Sequence, residues 1–399
     1  MLFPTHITEM EPLMPRGQLY ELREQSRQIF LQAGSLKRIL PGESIHQIAQ
    51  LVRGMNSYYS NLIEGHRTFP GEIDKVRQAD FTTDPKQAAL QQLGLAHEEV
   101  EQAMREKLAK EPDLEIGSAS FACWLHRELY QRLPEAFRLV KNLTGNQQYP
   151  VIPGEFRQHP TGVGRHAAPD HTKLEAFMAR FQQVYAPSAV APTDQLIAAM
   201  AAHHRFMWIH PFADGNGRVA RLMTSAYLIR MGIDDFGIWS WTRGLARAQP
   251  EYYALLEDAD QARRGALDGR GALSESSLCA FIKFGLKTAL DQIEFMGQKL
   301  DLLKLEIRLE DFFRRERPIG SQKQAGDFVR ILIEVLRRGS LPRGQVGHLI
   351  HKAERTASLM IKKLEAARYV TSDGPKKPLK IAFPSDLCDA CFPNLYIAG

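Results

Sequence analysis

The amino-acid sequence predicts a mainly α-helical protein with one small β-hairpin flap and a C-terminal winged-helix domain. Two observations support this fold class. Through most of the chain, apolar residues recur every three or four positions, which is the spacing of one buried helix face. Residues 150–170 break that pattern and are rich in proline and glycine, which predicts a hairpin or flap. A chain of 399 residues is also too long for one compact core, so we expect two or three domains.

The strongest helix signal lies near the N-terminus. From Ser44 to Glu64 the apolar side chains alternate at spacings of three and four, and Ser44 with Gln47 predicts a capping box. Gly65 follows, at the position where glycine ends many helices. The hairpin is expected to pair short pieces at 156–157 and 163–166. Further helices are predicted at residues 84–111, 117–132, 171–185, 193–209, 217–231 and 250–262, and one or two long helices at about 276–316.

These elements divide the chain into three predicted regions. Residues 1–110 form an N-terminal helical region that contains the helix at about 44–65, and residues 111–300 form a central domain with the flap at 150–170. Residues 301–399 contain a linker helix and then, at about 321–385, three short helices and a hairpin wing. Basic residues on the third helix and wing suit DNA phosphates, and protein contacts or a homodimer are the alternatives. These basic residues are Arg355, Lys362, Lys363, Lys376, Lys377 and Lys380.

Composition narrows the class of protein. Apolar residues make up 44% and charged residues 24% of the chain, which is typical of a soluble globular protein. The net charge of +5 is too small to indicate general polyanion binding, and four cysteines do not predict a disulfide framework. We find no signal peptide and no apolar run of the roughly 18 residues that a membrane span needs. A cytoplasmic protein with no membrane partner is therefore expected.

The segment that carries chemistry runs from His210 to Arg221, HPFADGNGRVAR, between two predicted helices. Arg218 and Arg221 fall in the first turn of the second helix, where cations oppose the helix dipole. Two arginines beside free backbone N–H groups fit a site that binds polyphosphate. Asp214 offers an oxygen ligand for Mg²⁺ on the phosphates, and His210 is suited to act as a general base.

Other interpretations of this segment are less favoured. Asp-Gly-Asn-Gly alone would be an ordinary tight turn. An EF-hand loop is disfavoured because Arg218 would repel calcium at a ligand position. A zinc site built from His203, His204 and His210 lacks the paired spacing and the acidic partner of known zinc motifs.

The segment resembles the signature of the Fic family, His-x-Phe-x-Asp/Glu-Gly-Asn-Gly-Arg-x-x-Arg, and matches it at every fixed position. Residues 152–157 and 161–169 resemble the family's flap region, and the Tyr252-Tyr253 pair resembles its run beside the nucleotide base. The resemblance implies transfer of AMP from ATP to a Ser, Thr or Tyr hydroxyl of a target protein, or of the chain itself. It implies His210 as the base, Asp214 as the Mg²⁺ ligand, and a target that docks on the flap.

The same resemblance assigns the nucleotide contacts. At residue 260 this chain has Asp where many relatives have Asn. The implied nucleotide-binding residues are Val163, Gly164, Arg165, His166, Gly215, Asn216, Gly217, Arg218, Arg221, Tyr253 and Asp260.

A second motif resembles the family's inhibitory sequence, Ser/Thr-x-x-x-Glu-Gly/Asn. It consists of Ser60, Glu64 and Gly65 at the end of the predicted N-terminal helix. A carboxylate there faces the negative end of its own helix dipole, although a solvated surface Glu before a glycine cap would look the same. If Glu64 pairs with Arg221, it would keep the γ-phosphate of ATP from its productive position.

Three alternatives to AMP transfer remain open at this point. The same site could use another phosphate-containing donor, such as UTP or CDP-choline, or could remove AMP from a modified target. The protein could also be a DNA-binding regulator whose Fic core senses a nucleotide.

Overall fold

The protein is described here by a computed structural model that covers residues 3–68, 82, 84–141, 145–317 and 319–396. Its secondary structure is mainly helical, which confirms the predicted fold class. The α-helices, in chain order, are α1 Leu19–Leu36, α2 Gly42–Ile63, α3 Pro85–Lys110, α4 Ala119–Arg132, α5 Leu174–Tyr185, α6 Gln195–Ile209, α7 Asn216–Arg230, α8 Trp241–Arg247, α9 Gln249–Ala259, α10 Glu275–Leu300, α11 Leu302–Asp311, α12 Ala325–Arg338, α13 Val346–Ile350, α14 Glu354–Ala366 and α15 Ser385–Cys391. The strands are β1 Leu139–Lys141, β2 Gln148–Pro150, β3 Gly162–Val163, β4 His166–Ala167, β5 Val370–Thr371 and β6 Lys380–Ile381.

The chain forms two compact units that each combine separate stretches of sequence. Helices α1, α2 and α10 contribute residues to both units. The predicted boundaries near residues 110 and 300 stay a prediction. The first unit contains Met1–Leu31, Asn56–Asp235 and Ser240–Asp291, and the second contains Gln32–Met55, Phe236–Trp239 and Gln292–Gly399.

Helices α6 and α7 form the centre of the first unit. Both are buried around almost their whole circumference, and most of their side chains are apolar or small. Helix α6 ends at His210, whose φ of 49° is left-handed, and α7 begins after Gly215, whose φ of 79° is also left-handed. The short loop between these residues therefore lies at the ends of two deeply buried helices, which hold it in place.

Two antiparallel hairpins lie before α5. In the first, Val140 pairs with Tyr149, and sequence analysis missed it because its strands have three residues each. In the second, Val163 pairs with His166. The strand expected at 156–157 is wrong, because the N–H of Arg157 donates to the Pro211 carbonyl at 2.9 Å and not to a strand partner.

Helix α2 begins at Gly42, two residues before the predicted start, and ends at Ile63, one residue before the predicted end. Ser44 is not its N-cap, because the buried Ser44 hydroxyl donates to the Leu336 carbonyl at 2.7 Å. At the other end Gly65 has a φ of +83°, and the N–H of His66 returns to the Asn61 carbonyl at 2.8 Å. The predicted glycine stop is confirmed, since a side chain at that φ would be strained.

The stretch 276–316, expected to form one or two helices, is divided at Asp301 into α10 and α11. The Asp301 carboxylate accepts from the N–H groups of Leu303 and Lys304 and so starts α11. A π-helical turn, Phe312–Glu316, follows α11. Sequence analysis also missed α1, α8 and α15.

The end of the second unit consists of α12, a bridge between Leu341 and Leu379, α13, α14, and the antiparallel pair β5–β6. This is the element order of a winged helix. Among the described residues, no helix has both the length and the apolar character that crossing a bilayer requires.

Candidate active site

His210 lies at the C-terminal end of α6, and its surroundings favour the neutral ring. Its Nδ1 is 3.4 Å from the Met207 carbonyl oxygen. A carbonyl can only accept, so Nδ1 carries the hydrogen and Nε2 is left able to take up a proton. Burial lowers the pKa of His210 to about 4, and the nearby charges of Arg157 and His166 act in the same direction. The ring is therefore in its basic form at neutral pH.

Arg157 connects the loop after α6 to the base of the flap. Its guanidinium donates to three backbone carbonyls, those of His210 at 2.8 Å, His159 at 3.1 Å and Pro169 at 2.5 Å. The side chain is buried, and this burial lowers the pKa of Arg157 to about 10. The sequence placed Arg157 in the segment leading to the flap, but nothing in the pattern showed that it positions His210.

The loop itself is closed by Asn216. The Asn216 amide accepts from the N–H of Phe212 and donates to its carbonyl, both at 2.9 Å. The ring of His126 stacks on Phe212 with 4.0 Å between centroids. Because the N–H of Gly154 donates to Nδ1 of His126 at 2.8 Å, Nε2 carries the hydrogen and donates to the Asp214 carbonyl at 3.2 Å. His126 therefore also positions the loop, a role that sequence analysis missed.

The Asp214 side chain points to a small polar cluster. Its Oδ2 accepts from the Tyr130 hydroxyl at 2.5 Å and from Nη2 of Arg218 at 3.2 Å. Burial raises the pKa of Asp214, but the charge of Arg218 and the bond from Tyr130 outweigh burial, and the pKa lies below its ordinary value. Tyr130, on α4, also excludes any side chain at residue 215, where a Cβ would meet its ring at 2.6 Å. Tyr130 is another site residue that no sequence motif marked.

Asp214 fits Mg²⁺ only as part of a shared coordination shell. The described residues contain no group of three or more His, Cys, Asp or Glu side chains that could hold a metal ion alone. Mg²⁺ in nucleotide sites is usually held by one or two carboxylates together with phosphate oxygens and water. The ionised Asp214 carboxylate, with 42% of its side chain exposed, suits that arrangement.

Arg218 is buried beside the polar cluster around Asp214, with part of its guanidinium unpaired among the described residues. Its side chain is 4% exposed, and within the described part of the protein its Nε and Nη1 have no hydrogen-bond partner. Helix α7 begins beside it with no side-chain cap at Gly215. Buried cationic donors without acceptors are costly unless a ligand satisfies them, and an uncapped helix N-terminus favours anions. The geometry therefore indicates an anion-binding site.

Arg221, one turn further along α7, has a protein partner already. Its Nη2 lies 2.6 Å from Oε1 of Glu64, and its Nε donates to the Ser60 hydroxyl at 3.0 Å. The Arg221 side chain is 2% exposed and that of Glu64 is 29% exposed. A Cβ added to Gly217 would collide with the Glu64 carboxylate, so that carboxylate lies against the first turn of α7. Glu64 thus sits at the positive end of α7, where a phosphate would also be favoured.

Two side chains of α9 hold the C-terminal end of α2. The Ile63 carbonyl accepts from the Tyr253 hydroxyl at 2.7 Å and from the Gln249 amide at 3.0 Å. Gly65 then turns the chain away. The position of Glu64 is fixed on both sides, by Arg221 and by the anchored carbonyl before it.

A cavity of about 560 Å³ opens beside His210. Two charged residues line this cavity. The Asp260 carboxylate lies 3.2 Å from Nε2 of His204, and the side chain of Arg165 is 88% exposed. Burial raises the pKa of Asp260, but its bond to His204 outweighs this and the pKa lies below its ordinary value. This cavity brings together the predicted base and ribose contacts, which are Val163, Gly164, Arg165, His166, Tyr253 and Asp260.

The other two histidines considered for zinc are engaged in the core. His203 bonds the Thr224 and Tyr252 hydroxyls, both at 2.8 Å, and His204 bonds the Leu256 carbonyl at 3.1 Å. They support α9 and do not converge on an ion with His210.

Comparison with known proteins relates this site to a family. Residues 116–228 match the Fic/DOC family. The protein named Protein adenylyltransferase Fic of Drosophila mojavensis is 33% identical over 137 residues, which is 34% of this chain and 26% of that protein. The protein of the same name from Drosophila erecta is 36% identical over 112 residues, or 28% of this chain and 21% of that protein. The match thus spans only about a quarter of these relatives.

Solved structures show the same fold. A Fic family protein from Desulfovibrio desulfuricans G20 aligns with 91% of this chain and 96% of its own, with a TM-score of 0.52 and 15% identity. Fic-1 (residues 134–508) from C. elegans aligns with 70% of this chain and 72% of its own, with a TM-score of 0.51 and 17% identity.

Proposed function

We propose that this chain, whose residues 116–228 form a Fic/DOC family domain, moves AMP from ATP to a Ser, Thr or Tyr hydroxyl of a target protein. The observation that carries this proposal is the buried Arg218, whose free donors lie beside an uncapped helix N-terminus and close to a neutral histidine. The Drosophila relatives, which are named Protein adenylyltransferase Fic, support the same reaction.

In the proposed reaction, the target oxygen attacks the α-phosphorus of ATP. The bond between that phosphorus and the oxygen bridging to the β-phosphate breaks, and pyrophosphate leaves. The hydroxyl proton passes to Nε2 of His210, which is free because Nδ1 faces the Met207 carbonyl. Positioning and charge supply most of the rate in reactions of this class.

The nucleoside and the phosphates of the donor would lie on different sides of His210. The cavity of about 560 Å³ is large enough for an adenosine, and its walls offer Tyr253 and Asp260 to the base and ribose. The phosphates would satisfy Arg218 and the N–H groups of residues 215–217. Mg²⁺ bound with them by Asp214 would neutralise phosphate charge.

The acceptor would reach His210 from the opposite face of the flap. A second cavity, of about 370 Å³, is lined by residues of both hairpins and by Ala213, next to Asp214. The flap strands have only two residues each, and Val163 is 50% exposed, so their edges can pair with an extended segment of a target.

The pair between Glu64 and Arg221 supports self-inhibition. Glu64 occupies the side of α7 where a γ-phosphate would otherwise find Arg221 and the helix N-terminus. ATP could still enter the cavity, but its phosphates would not reach the productive position.

The test uses ATP labelled at either the α- or the γ-phosphate, with the chain itself as the first acceptor. AMP transfer places the α-label and not the γ-label on protein. His210→Ala should abolish that transfer while ATP binding stays near normal, because a general base acts on the acceptor. His46→Ala, which removes an exposed histidine, is the matched control. Near-normal transfer by His210→Ala, or transfer of the γ-label, would exclude the proposed reaction.

A further inference from the structure

The winged helix of the second unit has a tight turn between its second and third helices. Helix α13 ends at His351, whose φ of 54° is left-handed, and the N–H of Lys352 returns to the Gly347 carbonyl at 2.9 Å. Only three residues separate α13 from α14. Helices joined in this way present the second helix as a protruding ridge, which is the arrangement used by helix-turn-helix proteins to enter the major groove.

The two faces of α14 are sharply different. The apolar side chains of Ala357, Met360, Ile361 and Leu364 are buried in the unit's core. The opposite face follows a helical spacing through Arg355, Leu359, Lys362 and Ala366, all of which are exposed. The 13 residues of α14 give a helix about 20 Å long, and a helix of ordinary diameter fits the roughly 12 Å major groove of B-DNA.

The structure separates free cations from paired ones in this region. Lys363 donates to the Gln324 amide oxygen at 3.2 Å, and Lys380 pairs with Asp373 at 2.7 Å, so both already have a protein partner. Their contact with DNA stays a prediction. Glu354 is the one exposed carboxylate on α14, in its first turn. Within the described residues, five exposed cations near the turn, helix and wing have no carboxylate partner. They are Lys352, Arg355, Lys362, Lys376 and Lys377.

One arginine sets the wing beside the helix. Nε of Arg343 donates to the Lys377 carbonyl at 3.2 Å, and its Nη2 is bonded to the Glu365 carboxylate on α14. The Ser372 hydroxyl also donates to the carbonyls of Gly374 and Lys377, which orders the wing loop. Arg343 therefore ties the wing loop, which carries Lys376 and Lys377, to the side of α14 that bears Glu365. The exposed face of α14 and these two lysines make one candidate surface.

We propose that this surface, made of α14 and the wing, binds double-stranded DNA, with α14 in the major groove and Lys376 and Lys377 on the phosphates beside it. Leu359 is 55% exposed at the centre of the face, where it can contact the methyl group of thymine. This activity is separate from AMP transfer, because every residue invoked belongs to the second unit and none belongs to the Fic domain.

Binding can be measured by fluorescence anisotropy with the full chain and a labelled 20-base-pair duplex of mixed sequence. If each of the five cations meets one phosphate, the logarithm of the association constant should fall against the logarithm of salt with a slope near −4.5. That slope means about a 500-fold loss of affinity between 50 and 200 mM salt. Lys362→Gln should reduce the slope by about 0.9, and Lys376→Gln with Lys377→Gln by about 1.8.

Lys363→Gln is the matched control, since it removes the same charge from the neighbouring residue of the same helix but from a side chain held by Gln324. It should leave the slope unchanged. A-form RNA of the same sequence should compete poorly, because its deep, narrow major groove does not admit a helix. The proposal is overturned if no duplex DNA binds at about 50 mM salt. Equal effects of Lys362→Gln and Lys363→Gln, or equal competition by RNA, would also overturn it.

Discussion

Removing the Glu64 carboxylate is the most direct test of self-inhibition. In the Glu64→Gly variant, Arg221 loses its 2.6 Å partner but keeps its bonds to the Ser60 hydroxyl and carbonyl. A hydrogen bond to a charged group contributes about 1.5–3 kcal/mol, and each ~1.4 kcal/mol changes an equilibrium tenfold. If this pair holds the closed state, its loss shifts the balance toward the open state by about 10- to 100-fold. Self-modification should therefore rise by a similar factor.

The assay is transfer of the α-label from ATP to the chain, measured as an initial rate at saturating ATP. Three further variants make the result specific. Glu64→Gln keeps an acceptor oxygen but loses the charge, so its rate should lie between wild type and Glu64→Gly. Ser60→Ala removes one bond to Arg221 but leaves the carboxylate in place, and its rate should stay near that of wild type. Arg221→Ala should lower the rate, because Arg221 would also hold the γ-phosphate.

The direction of the change decides the question, since general damage to packing would lower activity. Equal loss of activity in Glu64→Gly and Arg221→Ala would show that the pair supports the site and does not block it. A Glu64→Gly rate equal to that of wild type would show that the Glu64 carboxylate does not inhibit the transfer.

Two other predictions concern stability. Burial holds the pKa of His97 and His203 at about 3 and that of His126 and His210 at about 4, whereas an unfolded histidine titrates near 6.5. The unfolded chain therefore binds more protons below that pH, and the free energy of unfolding should fall as pH decreases from about 6.5 toward 4, by up to ~1.4 kcal/mol per pH unit for each histidine. A thermal midpoint that stays constant between pH 7 and 4.5 would contradict this. The second prediction concerns Asn216→Ala, which leaves the buried N–H and carbonyl of Phe212 without their hydrogen-bond partner. The free energy of unfolding in urea should fall by about 2–3 kcal/mol. An unchanged unfolding curve would mean that other contacts hold the loop.

The parts of the site that are contiguous in the chain could be predicted from the sequence. The loop from His210 to Arg218 lies between two helices as expected, and the charges of Glu64 and Arg221, each at the unfavourable end of its own helix, are paired. The flap hairpin was also predicted, although its first strand was expected at 156–157 and lies at Gly162–Val163.

The residues that position those groups could not be found in this way. Tyr130 and His126 belong to α4, and Arg157 belongs to a loop, so their contacts with residues 210–218 span long stretches of sequence. Each acts by donating to a carboxylate or to backbone carbonyls, which leaves no spacing to recognise. The partner of Lys363 was missed for a related reason, since Gln324 lies on a different element.

Tyr253 serves two purposes with one side chain, because its hydroxyl holds the Ile63 carbonyl while its ring lines the cavity beside His210. A ligand that moves this ring changes the hold on the end of α2, and release of α2 in turn changes the affinity for that ligand. Thermodynamic linkage makes these two effects equal in free energy. If a nucleotide binds this cavity more tightly once α2 is released, bound nucleotide must therefore favour that release by the same factor. The cavity and the end of α2 would then share one coupled equilibrium.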